Sequence, residues 1–397
     1  MSHNTPELPP PQQVLRPTTL LELQNTVRTS ANVRAFAARH SGELWQAAQY
    51  IDMNAFTNIL RLDSETITVE AGCQLTKVLA TLAPQQRTLA TVPSVLAASV
   101  GGTVLVAAHG SGTTTLSSEI IDLTFVLADG SLRTITASEP DFRYVVTSVG
   151  LLGILYSCTI RTVPAYKLYQ RRLYTNLPPQ WLTWLMSGLN RQFFYNPYRG
   201  KVLLYDHSYT ADYGTDRGSL VGSLIDNPRG EKLAVTAYTK TPILLPDFID
   251  LSYRALAGVS SGSSTKVLSI YEYKVAILDF ELAVPVAEAE QALSQIKELV
   301  GKWRREHGYY LWFGVLLRYL KKDIGVLSQS GRGDVVTFAF PLYPSEQSKA
   351  FVVALQGVLG TNFHIGKYSP LPVTAHAHWN EFAGAKVRYD ANSKFLR

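Results

Sequence analysis

The stretch from Val92 to Ile135, VPSVLAASVGGTVLVAAHGSGTTTLSSEIIDLTFVLADGSLRTI, decides the fold. A Pro-Ser turn leads to the glycine pair Gly101-Gly102, then to an apolar run and to His109-Gly110-Ser111-Gly112. A Ser/Thr loop follows, and two β-prone runs flank Asp129-Gly130, a dipeptide suited to a tight hairpin. Beyond it, VVTSVGLLGILYSCTIRTVPAY at 145–166 is punctuated by glycine and then strongly β-prone.

Working outward, TTLLELQNTVR at 18–28 has apolar residues at helical spacing behind a threonine placed to cap a helix. VRAFAARHS at 33–41 has the pattern of a strand entering a tight loop, and ETITVEAG at 65–72 that of a strand stopped by Gly72. LTKVLATLA at 75–83 is an amphipathic helix closed by Pro84. The first dozen residues, rich in Pro, Gln and Asn, are expected to form a loose arm.

Near Pro164 the texture changes. KVLLYDHSY (201–209), YEYKVAILDFELAVP (271–285) and VVTFAFPLYP (335–344) are predicted strands, and PVAEAEQALSQIKELVGKWRREHG (285–308) is the clearest helix. Its apolar side carries Ala287, Ala289, Ala292, Leu293, Ile296 and Leu299. Strands and helices in this order with little glycine predict an antiparallel sheet covered by helices, and the chain as a whole is α+β. The expected organisation is an arm over 1–12, a first lobe over 13–165, a second lobe over 166–360, and a segment over 361–397 that returns to the first lobe.

Composition removes several classes. At 397 residues the chain exceeds one ordinary core, and 46% hydrophobic with 17% charged residues is not a disordered composition. No uncharged apolar run reaches the ~18 residues of a membrane span, and the N-terminus lacks the order of a secretory signal, so the expected location is cytoplasmic. Two cysteines, Cys73 and Cys158, cannot build a disulfide framework or a cysteine-held metal site. The net charge of +6 is diffuse, and the aromatic residues are spread through the chain rather than interleaved with a basic stripe, so nucleic acid is not an expected partner. There is no GxxxxGK[ST], HExxH or GxSxG, and Gly150-Leu-Leu-Gly153 lacks the setting of a dinucleotide fingerprint.

Three small-residue loops remain, at about 37–42, 94–112 and 148–154. Glycine and serine let backbone N–H groups approach an anion closely, so three such loops in one lobe suit a long pyrophosphate-bearing cofactor. Read alone, they are equally ordinary turns between strands.

Eight segments, in order and spacing, resemble the flavin-linked oxidases of the vanillyl-alcohol oxidase (PCMH-type FAD-binding) superfamily, nearest to the sugar-lactone and alditol oxidases. VRAFAARHS resembles the family's loop ending in Gly-His-Ser, TITVEAG its Val-Glu-Ala-Gly, and TVPSVLAASVGG its Pro-Ser followed by Val-Gly-Gly. AAHGSG and SVGLLGILYSCTIRTVPAY resemble the next two segments, and ELAVP, FHIGK and FAGAKVRYDANSKFL resemble motifs of the second half. The resemblance covers nearly the whole chain. It implies a two-lobed fold, with FAD in the first lobe and a substrate-binding cap domain in the second.

Position by position, the resemblance implies that Ala37, Ala38, Arg39, His40 and Ser41, with Pro93, Ser94, Ser99, Gly101 and Gly102, meet the pyrophosphate and ribityl chain. His109, Gly110, Ser111, Gly112, Ser117, Gly150, Gly153 and Ile154 would lie further along, towards the adenine. His40 matches the histidine that many relatives bond to flavin; a loop histidine bonded to backbone is the other reading. Pro93 stands where the family controls oxygen access, so O2 is the expected electron acceptor.

The chain departs from the family twice. Gly-x-Gly before the histidine is Ala37-Ala38-Arg39 here, so the loop is expected to take another path, with Arg39 as a phosphate partner. The Glu-x-Arg pair beneath the flavin is Leu316-Leu317-Arg318, which keeps the arginine and loses the carboxylate. Arg318, His364 and Lys367 are the implied catalytic residues; there is no metal. Lys367 beside Arg318 is expected to have a lowered pKa, as a base would. The expected activity is FAD-dependent oxidation of a small molecule's C–OH by hydride transfer to flavin N5, on a substrate less polar than a sugar lactone. Oxidation of a C–N or activated C–H bond in a specialised metabolite, or a catalytically impaired flavin-binding protein, are the alternatives.

Overall fold

In the first lobe, the capping threonine forms a full capping box. Thr19 Oγ accepts the Glu22 N–H, and the Glu22 carboxylate accepts the Thr19 N–H at 3.3 Å, starting the Leu20–Thr29 helix. Its buried Leu23 and Val27 pack on Val33 and Ile51 of a small parallel sheet in the order Val14–Leu15, Gln49–Asp52, Val33–Phe36. The computed structural model describes residues 13–40, 47–211, 235–236, 238–269 and 276–395. The arm over 1–12, Ser41, and the start of the strand predicted at 271–285 lie outside the described residues.

A second sheet of the same lobe has five antiparallel strands in the order Ile59–Leu62, Thr66–Glu70, Ile154–Arg161, Ile120–Val126, Leu132–Thr136. The hairpin predicted around Asp129-Gly130 is its last pair, and Gly130 has φ +83, the left-handed conformation that glycine accepts without strain. Helices Leu75–Leu82 and Val100–Leu105 pack on it, and Cys73 and Cys158 are buried as free thiols.

The second half holds a seven-stranded antiparallel sheet. Its order is Gly258–Ser263, Lys167–Asn176, Lys201–Tyr209, Leu189–Asn196, Val315–Leu320, Val335–Leu342, Leu278–Pro285. Side chains alternate along each strand, so the register sorts the sheet into two faces. Phe193, Leu317, Phe338, Phe340, Phe280 and Leu282 lie in a core with Leu293 and Ile296 of helix Ala289–His307 and Phe351 and Leu355 of helix Glu346–Leu359. Ala287 precedes this helix and is exposed; the buried stripe ends instead at Val300. The opposite face carries Tyr205, Gln192 and Arg318 in one cross-strand row, and Phe194, Leu316, Ala339 and Glu281 in the next.

The C-terminal segment makes two attachments. Residues 362–368 run along the Leu278–Pro285 edge, where Ala283 N–H donates to Asn362 O, His364 N–H to Glu281 O and Tyr368 N–H to Asp279 O, each at 2.9 Å. Further on, Lys394 O accepts the Val33 N–H at 2.9 Å, and the fully buried Phe395 joins the core of Leu23, Val27 and Ile51. Among the described residues, no helix is long and apolar enough to cross a membrane.

Candidate active site

A cavity of about 900 Å³ lies between the polar face of the seven-stranded sheet and the loops of the first lobe. That volume is near the upper end of the ~300–1,000 Å³ of ligand sites. Of the loop residues singled out from sequence, Ala37, Ala38, Arg39, His40, Pro93, Ser94, Ser99, Gly101, Gly102, Gly150, Gly153 and Ile154 line it, together with His109. Gly110, Ser111, Gly112 and Ser117 do not. A side chain on Gly110 would collide with the Val92 carbonyl, and the buried Ser117 Oγ donates to Val104 O at 2.7 Å, so these residues build the turn behind the wall.

The glycine-poor loop turns at a residue that carries a side chain. Arg39 itself adopts φ +55, the left-handed conformation, while Ala37 and Ala38 do not. A residue with a Cβ pays roughly 1–2 kcal/mol for that conformation. Sequence reasoning missed Arg34 on the same wall. It is half-buried, donates to Val149 O at 2.9 Å and Phe395 O at 3.2 Å, and loss of solvent lowers its pKa to about 10, leaving it charged at neutral pH.

On the sheet side, the structure brings together Arg318, His364 and Lys367, and adds a residue that sequence reasoning passed over. Glu281 is fully buried at the centre of an ionic cluster. Its Oε1 accepts from His109 Nε2 at 2.8 Å, and its Oε2 accepts from Arg318 Nη2 at 2.8 Å and Lys367 Nζ at 3.1 Å. The carboxylate missing at Leu316 is thus supplied to Arg318 by another strand, because the register places Glu281 and Leu316 on either side of Ala339. The signal was present in ELAVP, whose glutamate follows Asp279 by two residues and shares its face. His109 joins this cluster from the first lobe.

Burial alone would raise the Glu281 carboxyl pKa, but Lys367, His109 and Arg318 outweigh it and hold the pKa well below its ordinary value. Burial pushes the Lys367 ammonium down, yet Asp279 at 3.0 Å and Glu281 more than offset burial and the neighbouring Arg318. The net shift is upward, which corrects the expectation of a lysine pulled down to serve as a base. Burial lowers His109 and takes His364 down to about 3, so the His364 ring is neutral at pH 7. His364 Nδ1 accepts the Gly366 N–H at 3.1 Å, which leaves the ring proton on Nε2. The buried Nε of Arg318, on the cavity wall, has no hydrogen-bond partner.

Comparison with known proteins decides the family. A family model described as an FAD binding domain matches residues 11–136, and one described as D-arabinono-1,4-lactone oxidase matches residues 158–396. The chain belongs to the D-arabinono-1,4-lactone oxidase family. An L-gulono-1,4-lactone dehydrogenase of Mycobacterium tuberculosis is 24% identical over 97% of this chain and 94% of its own length. A D-arabinono-1,4-lactone oxidase of Saccharomyces cerevisiae is 31% identical over 40% of this chain and 31% of its own, and an alditol oxidase of Streptomyces is 31% identical over 42% of each. Among solved structures, cholesterol oxidase from Brevibacterium sterolicum superposes with a TM-score of 0.76 at 15% identity, over 97% of this chain and 92% of that one. That likeness shows the fold. The protein is an FAD-dependent oxidoreductase of the aldonolactone and alditol oxidase type, acting on CH–OH donors.

The residues present fit FAD. Small side chains leave backbone open along one wall, Arg34 and Arg39 offer charge to a pyrophosphate, and Gly101 must be glycine because a Cβ would stand 2.9 Å from Ala71 Cβ.

Proposed function

We propose that FAD lies against the first-lobe loops and that a C–OH group is oxidised over the face carrying Arg318, Glu281 and Lys367; the buried ionic cluster on the cavity floor carries this reading. When bound, FAD supplies at N5 the acceptor for a hydride. The loop at 37–40, with Ser94, Ser99, Gly101 and Gly102, holds the pyrophosphate and ribityl chain, and Gly150, Gly153 and Ile154 hold the more distant part. Two cations on the floor, Arg318 and Lys367, stabilise the negative charge that develops on the substrate oxygen and lower its hydroxyl pKa.

Leu316, Phe194, Ile277 and Phe363 give the substrate side an apolar part, beside the polar Gln192, Tyr205, Asp279, Ser369 and Thr374. A buried site rejects hydroxyls for which it has no partner, so the favoured substrate is less hydroxylated than a sugar lactone. Pro93 offers a rigid, short ring at the wall, which supports O2 as the acceptor. The test is anaerobic bleaching of the bound flavin by lactones, alditols and aromatic alcohols, followed by stopped-flow mixing with oxygen. Bleaching by an aromatic or otherwise less polar alcohol and fast reoxidation with peroxide release are expected. No bleaching by any C–OH donor would sink the reading, and reoxidation no faster than free reduced flavin would sink the oxygen part.

Two further outcomes follow from the loops. Gly102→Val is expected to abolish flavin retention while the chain still folds, because a Cβ there meets only Ser99 Oγ, at 3.1 Å. A purified variant as yellow as the parent would place the cofactor elsewhere. His40 lines the cavity, and we propose it as the attachment point of the flavin. Acid-precipitated protein should keep its flavin fluorescence, and His40→Ala should lose it; free flavin in the parent's supernatant would show that no bond exists.

A further inference from the structure

The oxidation leaves a hydroxyl proton to be removed, and the groups nearest the cluster are poor acceptors. Arg318 does not deprotonate in proteins. Both oxygens of Glu281 are engaged, Oε1 by His109 and Oε2 by Arg318 and Lys367. The Nδ1 lone pair of His364 is taken by the Gly366 N–H, so that ring presents a donor from its other nitrogen. Lys367 is the group that spans from this interior to a more open one. Its Nζ bridges Glu281, which is fully buried, and Asp279, whose side chain is 44% exposed and also lines the cavity. Asp279 and Glu281 are two residues apart on one strand, so the backbone itself sets the two carboxylates on one face with the lysine between them.

We propose that Lys367 and Asp279 form the proton exit of this active site, Lys367 as the group that takes the substrate proton and Asp279 as the residue that passes it to solvent. This rests on the oxidation proposed above. An N–H bond of the Lys367 ammonium breaks and its proton moves to the Asp279 carboxylate, leaving an amine lone pair. The substrate O–H bond then breaks and that proton forms the new N–H bond, restoring the ammonium. Asp279 releases its proton to water, so the net result is one hydroxyl proton delivered to solvent; the electron pair and hydride are those of the proposed oxidation. The first shift is internal to the pair and takes up or releases no proton, so it is available at any pH at which the pair holds one proton. The charged and titratable groups facing Lys367 are Asp279 and Glu281 on one strand, Arg318 two strands away, and His364 and His109 beside them. The net upward pKa shift of Lys367 makes the first shift an uphill, transient step, and the 3.0 Å contact with Asp279 is what gives that proton a place to go.

The experiment is the pH profile of anaerobic flavin reduction in the FAD-loaded full chain and in Asp279→Asn. The parent should give a flat profile across neutral pH. In the variant the amine forms only by losing a proton to solvent, so the rate should fall at least tenfold at pH 7 and climb about tenfold per pH unit towards the parent's. Asp279→Glu should restore a flat profile. An unchanged rate in Asp279→Asn, or a slow rate with a flat profile, would overturn the proposal, and the second result would mark Asp279 as merely structural. A parent that no alcohol bleaches defeats the oxidation reading instead. The pair is then read without turnover, by carbon-13 NMR titration of labelled lysines in the FAD-loaded protein. The Lys367 resonance should titrate at lower pH in Asp279→Asn, and an unmoved titration would overturn the coupling on which the exit depends.

Discussion

Glu281→Gln is expected to destabilise the fold by about 3–5 kcal/mol, because it removes the one charge that Arg318, Lys367 and His109 share and leaves buried cations short of a counter-ion. Glutamine keeps the shape, so the loss reports charge rather than a cavity. The pH dependence gives a second check with a definite sign. The folded-state pKa of Glu281 is lowered, so its contribution is complete above the unfolded value, ordinarily 4.5, and is lost as pH falls towards the folded value. The folded-state pKa of Lys367 is raised, so its contribution is complete below the unfolded value and is lost as pH rises through the folded one. The parent should therefore be most stable between these limits, and Glu281→Gln should lack this group's share of the acid loss. Denaturant midpoints measured across pH decide it: equal midpoints for parent and variant at pH 7 would show that Glu281 is not the counter-ion on which the three side chains depend.

Arg318→Met and Lys367→Met are each expected to slow anaerobic flavin reduction by roughly 10²-fold or more, about 2.7 kcal/mol of lost transition-state stabilisation. Both side chains sit on the sheet side of the cavity, where Arg318 Nη1 meets the first lobe only at Gly110 O, behind the lining, at 3.3 Å, so each variant should keep its FAD and its visible spectrum. The two changes differ in what they leave behind. Without Arg318, Glu281 still meets Lys367 and His109; without Lys367, Asp279 also loses its partner. Lys367→Met should therefore be the slower enzyme. Unchanged reduction rates in both would take the cations out of the chemistry, and flavin loss in either would show that the cofactor is held by the sheet side as well as by the loops.

By itself, the sequence of this protein determined its local structure and its cofactor. The helix behind Thr19, the hairpin at Asp129-Gly130 and the glycine pair at 101–102 follow from capping, turn chemistry and backbone freedom, which act within a few residues. The family of motifs named FAD, Arg318, His364 and Lys367 without knowledge of any contact. Only the tertiary structure decided what these residues do to one another. Glu281, Ala339 and Leu316 come from three strands up to 58 positions apart, and one step of slippage in either pairing would put Glu281 and Arg318 on opposite faces. No local pattern specifies that register. The sign of the Lys367 shift was likewise out of reach, since it depends on burial and two carboxylates within about 3 Å, weighed against a buried arginine. The same holds for Arg39, which adopts a left-handed φ of +55 although nothing in Ala37-Ala38-Arg39 calls for one.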